Sequence, residues 1–230
     1  MSDYLAYQEK YREVPRASDV ELIKLISKRT PKGGRILDVG CSTGNLLHHL
    51  HAARPDLELR GCDKDILTVV EWVKSGLPFE CWQADVAETE WTDQWAYPAY
   101  DAVILNAVLY CLDDLQIVAA LRNIHRVLKP GGHLFIWDLL HPWNQRLMIR
   151  EESDRYGDVT YHIRPYKLLH DLAADNGYSM CEIHPCKQPR LPKPEDPDDL
   201  TSWTFPGWEK GGISFRGGVA QPWCHAVLTK

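Results

Sequence analysis

The sequence predicts a doubly wound α/β domain built on a parallel sheet, and three observations carry that prediction. Five apolar, strand-like runs between residues 35 and 138 alternate with helical patterns, and parallel neighbours need helical crossovers. The run Ala102-Val103-Ile104-Leu105 is apolar at every position, as expected for a strand buried on both faces. The strands also end on polar residues, at Asp38, Asp63, Asp85 and Asn106. Ligands of open α/β sheets bind at such strand ends, where the strand order reverses.

The elements follow in order. Tyr4, Tyr7 and Tyr11 fall at helical spacing, ahead of Ser18-Asp19-Val20-Glu21, a capping-box pattern. The helix it opens faces inward with Leu22, Leu25 and Ile26 and stops before Pro31 and Gly33-Gly34. Arg35–Val39 reads as the first strand, and the turn Gly40-Cys41-Ser42-Thr43-Gly44 leads into a helix over 44–53. A strand running into a glycine turn and a helix N-terminus presents backbone N–H groups and a positive dipole end to a ligand.

Leu57–Asp63 is the second strand; Asp65 caps a helix whose Ile66, Val69, Val70 and Val73 make one apolar face up to Gly76. Phe79–Asp85 and Tyr100–Asn106 are the third and fourth strands. Asp113 or Asp114 caps a long helix with Ile117, Leu121, Ile124 and Leu128 on one face. Lys129-Pro130-Gly131-Gly132 then makes a sharp turn before a fifth strand, His133–Trp137, ending on Asp138. Beyond it the pattern weakens, with an extra strand at 159–163, a helix over 165–176 and two strands at 178–184 and 223–229. The Pro/Gly-rich segment 185–222 holds Trp203, Phe205 and Trp208. It is too long for a plain connection and reads as either a lid over a site or a partly disordered segment.

Composition narrows the function classes. The 230 residues suit a single domain, 44% hydrophobic and 25% charged, with net charge −6. That balance argues against a nucleic-acid backbone as principal partner. No basic region precedes an apolar stretch at the N-terminus, and no run approaches the roughly 18 apolar residues of a membrane span. Seven scattered cysteines without a C-x-x-C pair suggest a reducing, cytoplasmic location with neither disulfides nor zinc. Nine tryptophans and ten tyrosines exceed what the core needs, so some are expected to line a pocket.

Asp38-Val39-Gly40-Cys41-Ser42-Thr43-Gly44, Gly61-Cys62-Asp63, Ala84-Asp85-Val86, Asp101–Asn106 and Arg126–Gly132 together resemble the class I S-adenosylmethionine-dependent methyltransferase family over residues 20–138. The resemblance implies a Rossmann-like seven-stranded sheet in the order 3-2-1-4-5-7-6, with strand 7 antiparallel and helices on both faces. It implies S-adenosyl-L-methionine as cofactor and S-adenosyl-L-homocysteine as product. By the same resemblance Asp38, Gly40, Cys41 and Gly44 hold the methionine part, Asp63 with Lys64 the ribose, and Asp85 with Val86 the adenine. By the same resemblance Asn106 flanks the sulfonium; Tyr11, with Tyr4 and Tyr7, reads either as part of an N-terminal flap over the cofactor or as a plain helix face packed on the sheet. Ser42 stands where the family often has a glycine and is expected to keep a negative φ.

The expected domain comprises an N-terminal helical cap (1–34), a cofactor core (35–138) and an acceptor-side half (139–230) with the lid. A general base is expected at His141, just past the fifth strand, with His225 a weaker candidate. Tyr110, Asp138, His141, Trp143, Trp203 and Trp208 are the expected acceptor pocket. His48, His49 and His51 read as an exposed face, and with Asn106 at the fourth strand end no metal is expected. The acidic surface and aromatic lid favour a small organic acceptor over nucleic acid, methylated on oxygen rather than nitrogen, by a monomer or homodimer. The alternatives are an N- or protein methyltransferase and a non-catalytic cofactor-binding subunit. A nicotinamide enzyme fits poorly, because the turn lacks G-x-G-x-x-G.

Overall fold

The computed structural model describes residues 8–88, 99–142, 144–151, 159–185, 202–205, 213–216 and 223–230. Along the chain come α1 (Ala17–Arg29), β1 (Arg35–Val39), α2 (Asn45–Ala53), β2 (Glu58–Asp63), α3 (Ile66–Ser75) and β3 (Glu80–Gln83). Then follow β4 (Tyr100–Asn106), α4 (Asp114–Val127), β5 (Leu128–His141), β6 (Leu147–Glu151), β7 (Val159–Pro165) and α5 (Tyr166–Asp175). The described chain closes with β8 (Met180–Pro185), β9 (Ser202–Phe205), β10 (Ile213–Arg216) and β11 (Trp223–Thr229).

The main sheet runs β3-β2-β1-β4-β5-β11-β8. β1 to β5 are parallel, and β11 is antiparallel to both of its neighbours. Counted over the seven core strands this is the expected 3-2-1-4-5-7-6 order. A hairpin of β6 and β7 adds to the far end of β5, where Leu140 and His141 meet Arg164 and Pro165. Only β7 of that hairpin is marked in the sequence. β9 and β10 pair within the expected lid, whose remaining residues lie outside the described ones.

Strand alternation sends successive side chains to opposite faces and splits the core in two. Leu37, Val103, Leu105, Leu134 and Ile136 pack on Leu121, Ile124, Leu169 and Ala173 of α4 and α5. Ile36, Ile104, Phe135 and Val227 pack on Leu22, Ile26, Leu47, Leu50 and Trp72 of α1 to α3. Asp38, Asn106, Trp137 and His225 share alternation parity with this second set. The sheet therefore points them toward α1 and α2 at the strand ends.

Local corrections have physical causes. The capping box at Ser18 does not form: α1 begins two residues earlier, with Arg16 at the N-cap position, and buried Asp19 turns inward instead. The box on α4 does form, with Asp113 accepting from Gln116 N while Gln116 Oε1 accepts from Asp113 N, both at 2.9 Å. On α3 the buried side is Thr68, Val69 and Trp72, while Ile66, Val70 and Val73 are exposed. Trp72 marks that rotation: it is 2% exposed, its indole donates to Phe79 O at 3.2 Å, and its ring sits over Gly44 and Gly61, where no side chain competes for the space. The glycine turn before the fifth strand is an irregularity within β5, where the register steps from Tyr100↔Leu128 to Ala102↔His133. β5 then continues past Asp138 to His141.

Candidate active site

The cradle forms where β1 gives way to α2. Gly40 N and Cys41 N both donate to Cys62 O, at 2.8 and 3.1 Å, which folds the turn against β2. Gly40 and Gly44 adopt φ of 73 and 81°, a region closed to most side chains. Neighbours also fill the space a Cβ would need: Val108 Cγ2 lies 2.6 Å from that position on Gly40. Ser42 does not keep a negative φ; it sits at 51°. Its N–H donates to Asp63 Oδ2 at 2.9 Å, so a tie to the next strand end holds the strained residue in place.

Asp38 lies at the floor of this turn, 1% exposed. Its Oδ1 is buried without a hydrogen-bond partner among the described residues. Burial first, then the carboxylates of Asp19 and Asp63, push its pKa well above the ordinary range. A buried carboxyl so placed is ready to accept from a cationic ligand.

Asp63 is held by two backbone donors, Ser42 N on one oxygen and Asp65 N at 2.9 Å on the other. Each oxygen retains a lone pair for a ligand hydroxyl. Lys64 is exposed, and its carbonyl accepts from Gln83 Nε2 at 3.1 Å. Asp85 forms a tight turn, with Oδ1 accepting from Ala87 N at 2.9 Å. Val86 is buried, and its carbonyl takes the amide of Asn123 at 2.9 Å. The ends of β2 and β3 are linked through Ala84 N to Asp63 O at 2.9 Å.

The N-terminal segment closes over α2. Asn45 Nδ2 donates to Gln8 O at 2.7 Å, and His49 Nε2 contacts Tyr11 O at 2.8 Å. The Tyr11 ring carries the Arg16 guanidinium 4.5 Å from its centroid. The histidines of α2 are thus not one exposed face: His49 serves this closure, and His51 packs edge-on against Phe79 at 5.2 Å. Asn106 Nδ2 reaches Asp19 Oδ1 at 3.3 Å, while its own Oδ1 is buried without a partner among the described residues.

Beyond Asn106 runs an aromatic wall. Trp137 and Trp223 stack at 4.0 Å and 11°. Tyr110 meets Trp223 edge-on at 6.0 Å and stacks on Tyr161 at 5.2 Å. Burial pushes the Tyr110 hydroxyl pKa far up, so it stays protonated. Asp138 faces the other side of β5 from Trp137, because neighbouring positions alternate. It is 1% exposed and accepts from Leu109 N and Leu139 N, both at 2.7 Å. Burial pushes its pKa up to about 7 against those backbone donors and Arg164. Arg164 braces the same turn from beneath, donating to Leu109 O and Leu112 O at 3.0 and 2.6 Å.

His141 is 1% exposed, and burial lowers its pKa against a hydrogen bond with the Gln145 backbone. It sits four residues beyond Trp137, the partner of Asn106 in register, or about 13 Å further along the strand. His225 contacts Ser18 O at 3.1 Å under α1. The structure thus sets Asp38, Gly40, Cys41, Gly44, Asp63 and Asn106 at the ends of the adjacent strands β1, β2 and β4, with Tyr110 on the aromatic wall. Trp143 and Trp208 lie outside the described residues, as does the side chain of Trp203. Sequence reasoning missed Asp19, Trp137, Trp223 and Tyr161. Trp137 directly precedes the strand-end acid Asp138 and Trp223 opens β11, a signal that only the β5–β11 register makes meaningful. Among the described residues no three His, Cys, Asp or Glu side chains converge to hold a metal, and no helix is long and apolar enough to cross a membrane.

Comparison with known proteins agrees with this geometry. A family profile described as Methyltransferase domain matches residues 7–216. Carboxy-S-adenosyl-L-methionine synthase of Vibrio atlanticus is 27% identical over 200 residues, covering 83% of this chain and 74% of that protein. The tRNA N(3)-methylcytidine methyltransferase Mettl2 of Drosophila melanogaster is 28% identical over 110 residues, 45% of this chain and 34% of that protein. In fold, 1,6-didemethyltoxoflavin-N1-methyltransferase of Burkholderia thailandensis, solved with S-adenosylhomocysteine, superposes with a TM-score of 0.61 at 15% identity over 99% of this chain and 85% of that one. A buried acceptor at Asp38, the backbone-anchored Asp63 and the glycine turn between them fit that cofactor's charged and hydroxyl-bearing ends. The profile spans most of the chain, so the chain belongs to the methyltransferase-domain family and is an S-adenosyl-L-methionine-dependent methyltransferase.

Proposed function

We propose that this enzyme methylates a small, planar organic acceptor on an acidic oxygen. The aromatic wall of Trp137, Trp223, Tyr110 and Tyr161 carries the reading. Half-buried rings in a row offer flat apolar area with fixed geometry. In this reading Asp38 and the glycine turn hold the methionine end, Asp63 the ribose, and Asp85 with the Val86 backbone the adenine. The cofactor supplies a methyl group already activated on its sulfonium. The protein's task is placement, which is worth about 7–11 kcal/mol of a bimolecular barrier.

Oxygen is favoured by what lies near Asn106. The hydroxyl of Tyr110 stays protonated, and His141 sits about 13 Å further along β5. A phenol or carboxylic acid ionises with little help and needs only to be held in line, whereas an ammonium must first lose its proton to a base. A net charge of −6 works against a polyanionic acceptor such as tRNA. The deciding experiment incubates purified protein with S-adenosyl-L-methionine and a panel of phenols, carboxylic acids, amines and tRNA, reading masses of acceptor and cofactor. Methylated phenol or carboxylate with S-adenosyl-L-homocysteine is the expected result. Methylated amine or tRNA, or a carboxylated cofactor as made by the Vibrio relative, would overturn the acceptor assignment.

A further inference from the structure

The face of the sheet beneath α1 concentrates acceptors. Asp19 is 2% exposed and Asp38 1%, so both carboxyl groups are removed from water. The charged side chains that act on Asp38 are two acids, Asp19 and Asp63. Asn106 links the group by donating to Asp19 at 3.3 Å. The oxygens Asp38 Oδ1 and Asn106 Oδ1 remain buried without partners among the described residues. His225 does not supply the missing cation: its Nε2 contacts Ser18 O, and burial lowers its pKa. Buried like charges with idle acceptors are costly unless a cation arrives with hydrogens to donate.

We propose that Asp19, carried by the N-terminal helix α1, binds the α-ammonium of the cofactor's amino-acid end together with Asp38 Oδ1 and Asn106 Oδ1. A primary ammonium offers three N–H donors, one for each of the three side chains, whereas a sulfonium offers none. The assignment rests on S-adenosyl-L-methionine being the cofactor. It makes α1 part of the cofactor site and not a mere cover, so cofactor binding tightens the cap. Asp19 was hidden in the sequence because the same tetrapeptide reads as a helix cap.

The test compares two ligands that differ at the amino-acid end. S-adenosyl-L-homocysteine carries the ammonium, and 5′-methylthioadenosine keeps the adenosine and thioether without it. Calorimetric titration of wild type and Asp19→Asn should show homocysteine-ligand binding weakened by about tenfold or more, with methylthioadenosine binding unchanged. The unchanged second ligand also shows that the variant pocket is folded. Equal binding of S-adenosyl-L-homocysteine by both proteins, or a parallel fall for both ligands, would overturn the role of Asp19 and leave the cofactor site standing. A wild-type chain that binds neither ligand would overturn the cofactor site and the proposal with it.

Discussion

The indole of Trp72 stands 2.4 Å from where a Cβ on Gly44 would be built, with Leu77 at 2.8 Å, and Gly44 itself holds φ at +81°. Two helices therefore meet over a missing side chain: α2 starts where the largest ring of α3 is packed. Gly44→Ala must bear both the positive φ and the collision, about 1–2 kcal/mol from the first and about 1–3 from the second. A urea melt is expected to show a stability loss of about 2–5 kcal/mol. Unchanged stability would mean that α3 packs elsewhere.

Ser42 and Asp63 make a second tie in the same turn, a backbone donor at 2.9 Å holding a residue at φ 51°. Serine tolerates that region poorly and a β-branched residue worse. Ser42→Val should lose at least about 1–2 kcal/mol of stability, while Ser42→Gly should stay within about 1 kcal/mol of wild type. Thermal melts of the two variants check the ordering.

Trp223 reaches Trp137 diagonally across the antiparallel β5–β11 pair, His225 being the residue directly opposite Trp137. Such a diagonal contact suits aromatic rings. Trp223→Ala removes one plate of the wall without touching the turn at Gly40. Steady-state kinetics with a methylated acceptor should show its KM rising by about tenfold, while the KM for S-adenosyl-L-methionine moves little. A rise confined to the cofactor KM would place the acceptor elsewhere.

Asp138 gives the fold a pH signature. Its carboxyl keeps its proton up to about 7 in the folded chain against an ordinary 3.8. The folded state therefore binds more protons between those values, and stability from this group is full below 3.8 and drains as pH rises to 7. Asp138→Asn removes the titration but not the burial. Between pH 5 and pH 8 wild type should lose about 2–3 kcal/mol relative to the Asn variant. Parallel stability curves for the two proteins would contradict this.

The parts legible in the sequence are those fixed by local chemistry. The polar strand ends, the Asp65 and Asp113 caps and the glycine turn announce themselves because backbone donors near them need partners. The helix α3 face was not legible, since the voids over Gly44 and Gly61 that seat Trp72 arise only when β2, α2 and α3 meet. Asp19 reads as part of a cap because its partner Asn106 lies 87 residues away. The Trp137–Trp223 stack depends on a register between strands that the lid segment separates. What tertiary contact decides, a single window of sequence does not display.

The claim on which the rest depends is that the β1 and β2 ends hold S-adenosyl-L-methionine, with Asp63 gripping its ribose. Titration calorimetry of wild type and Asp63→Ala with S-adenosyl-L-homocysteine tests it most directly. One site per chain with a sub-millimolar Kd is expected, weakened in the variant by about 1.5–3 kcal/mol. No heat up to millimolar ligand, or the same Kd in both proteins, would contradict it.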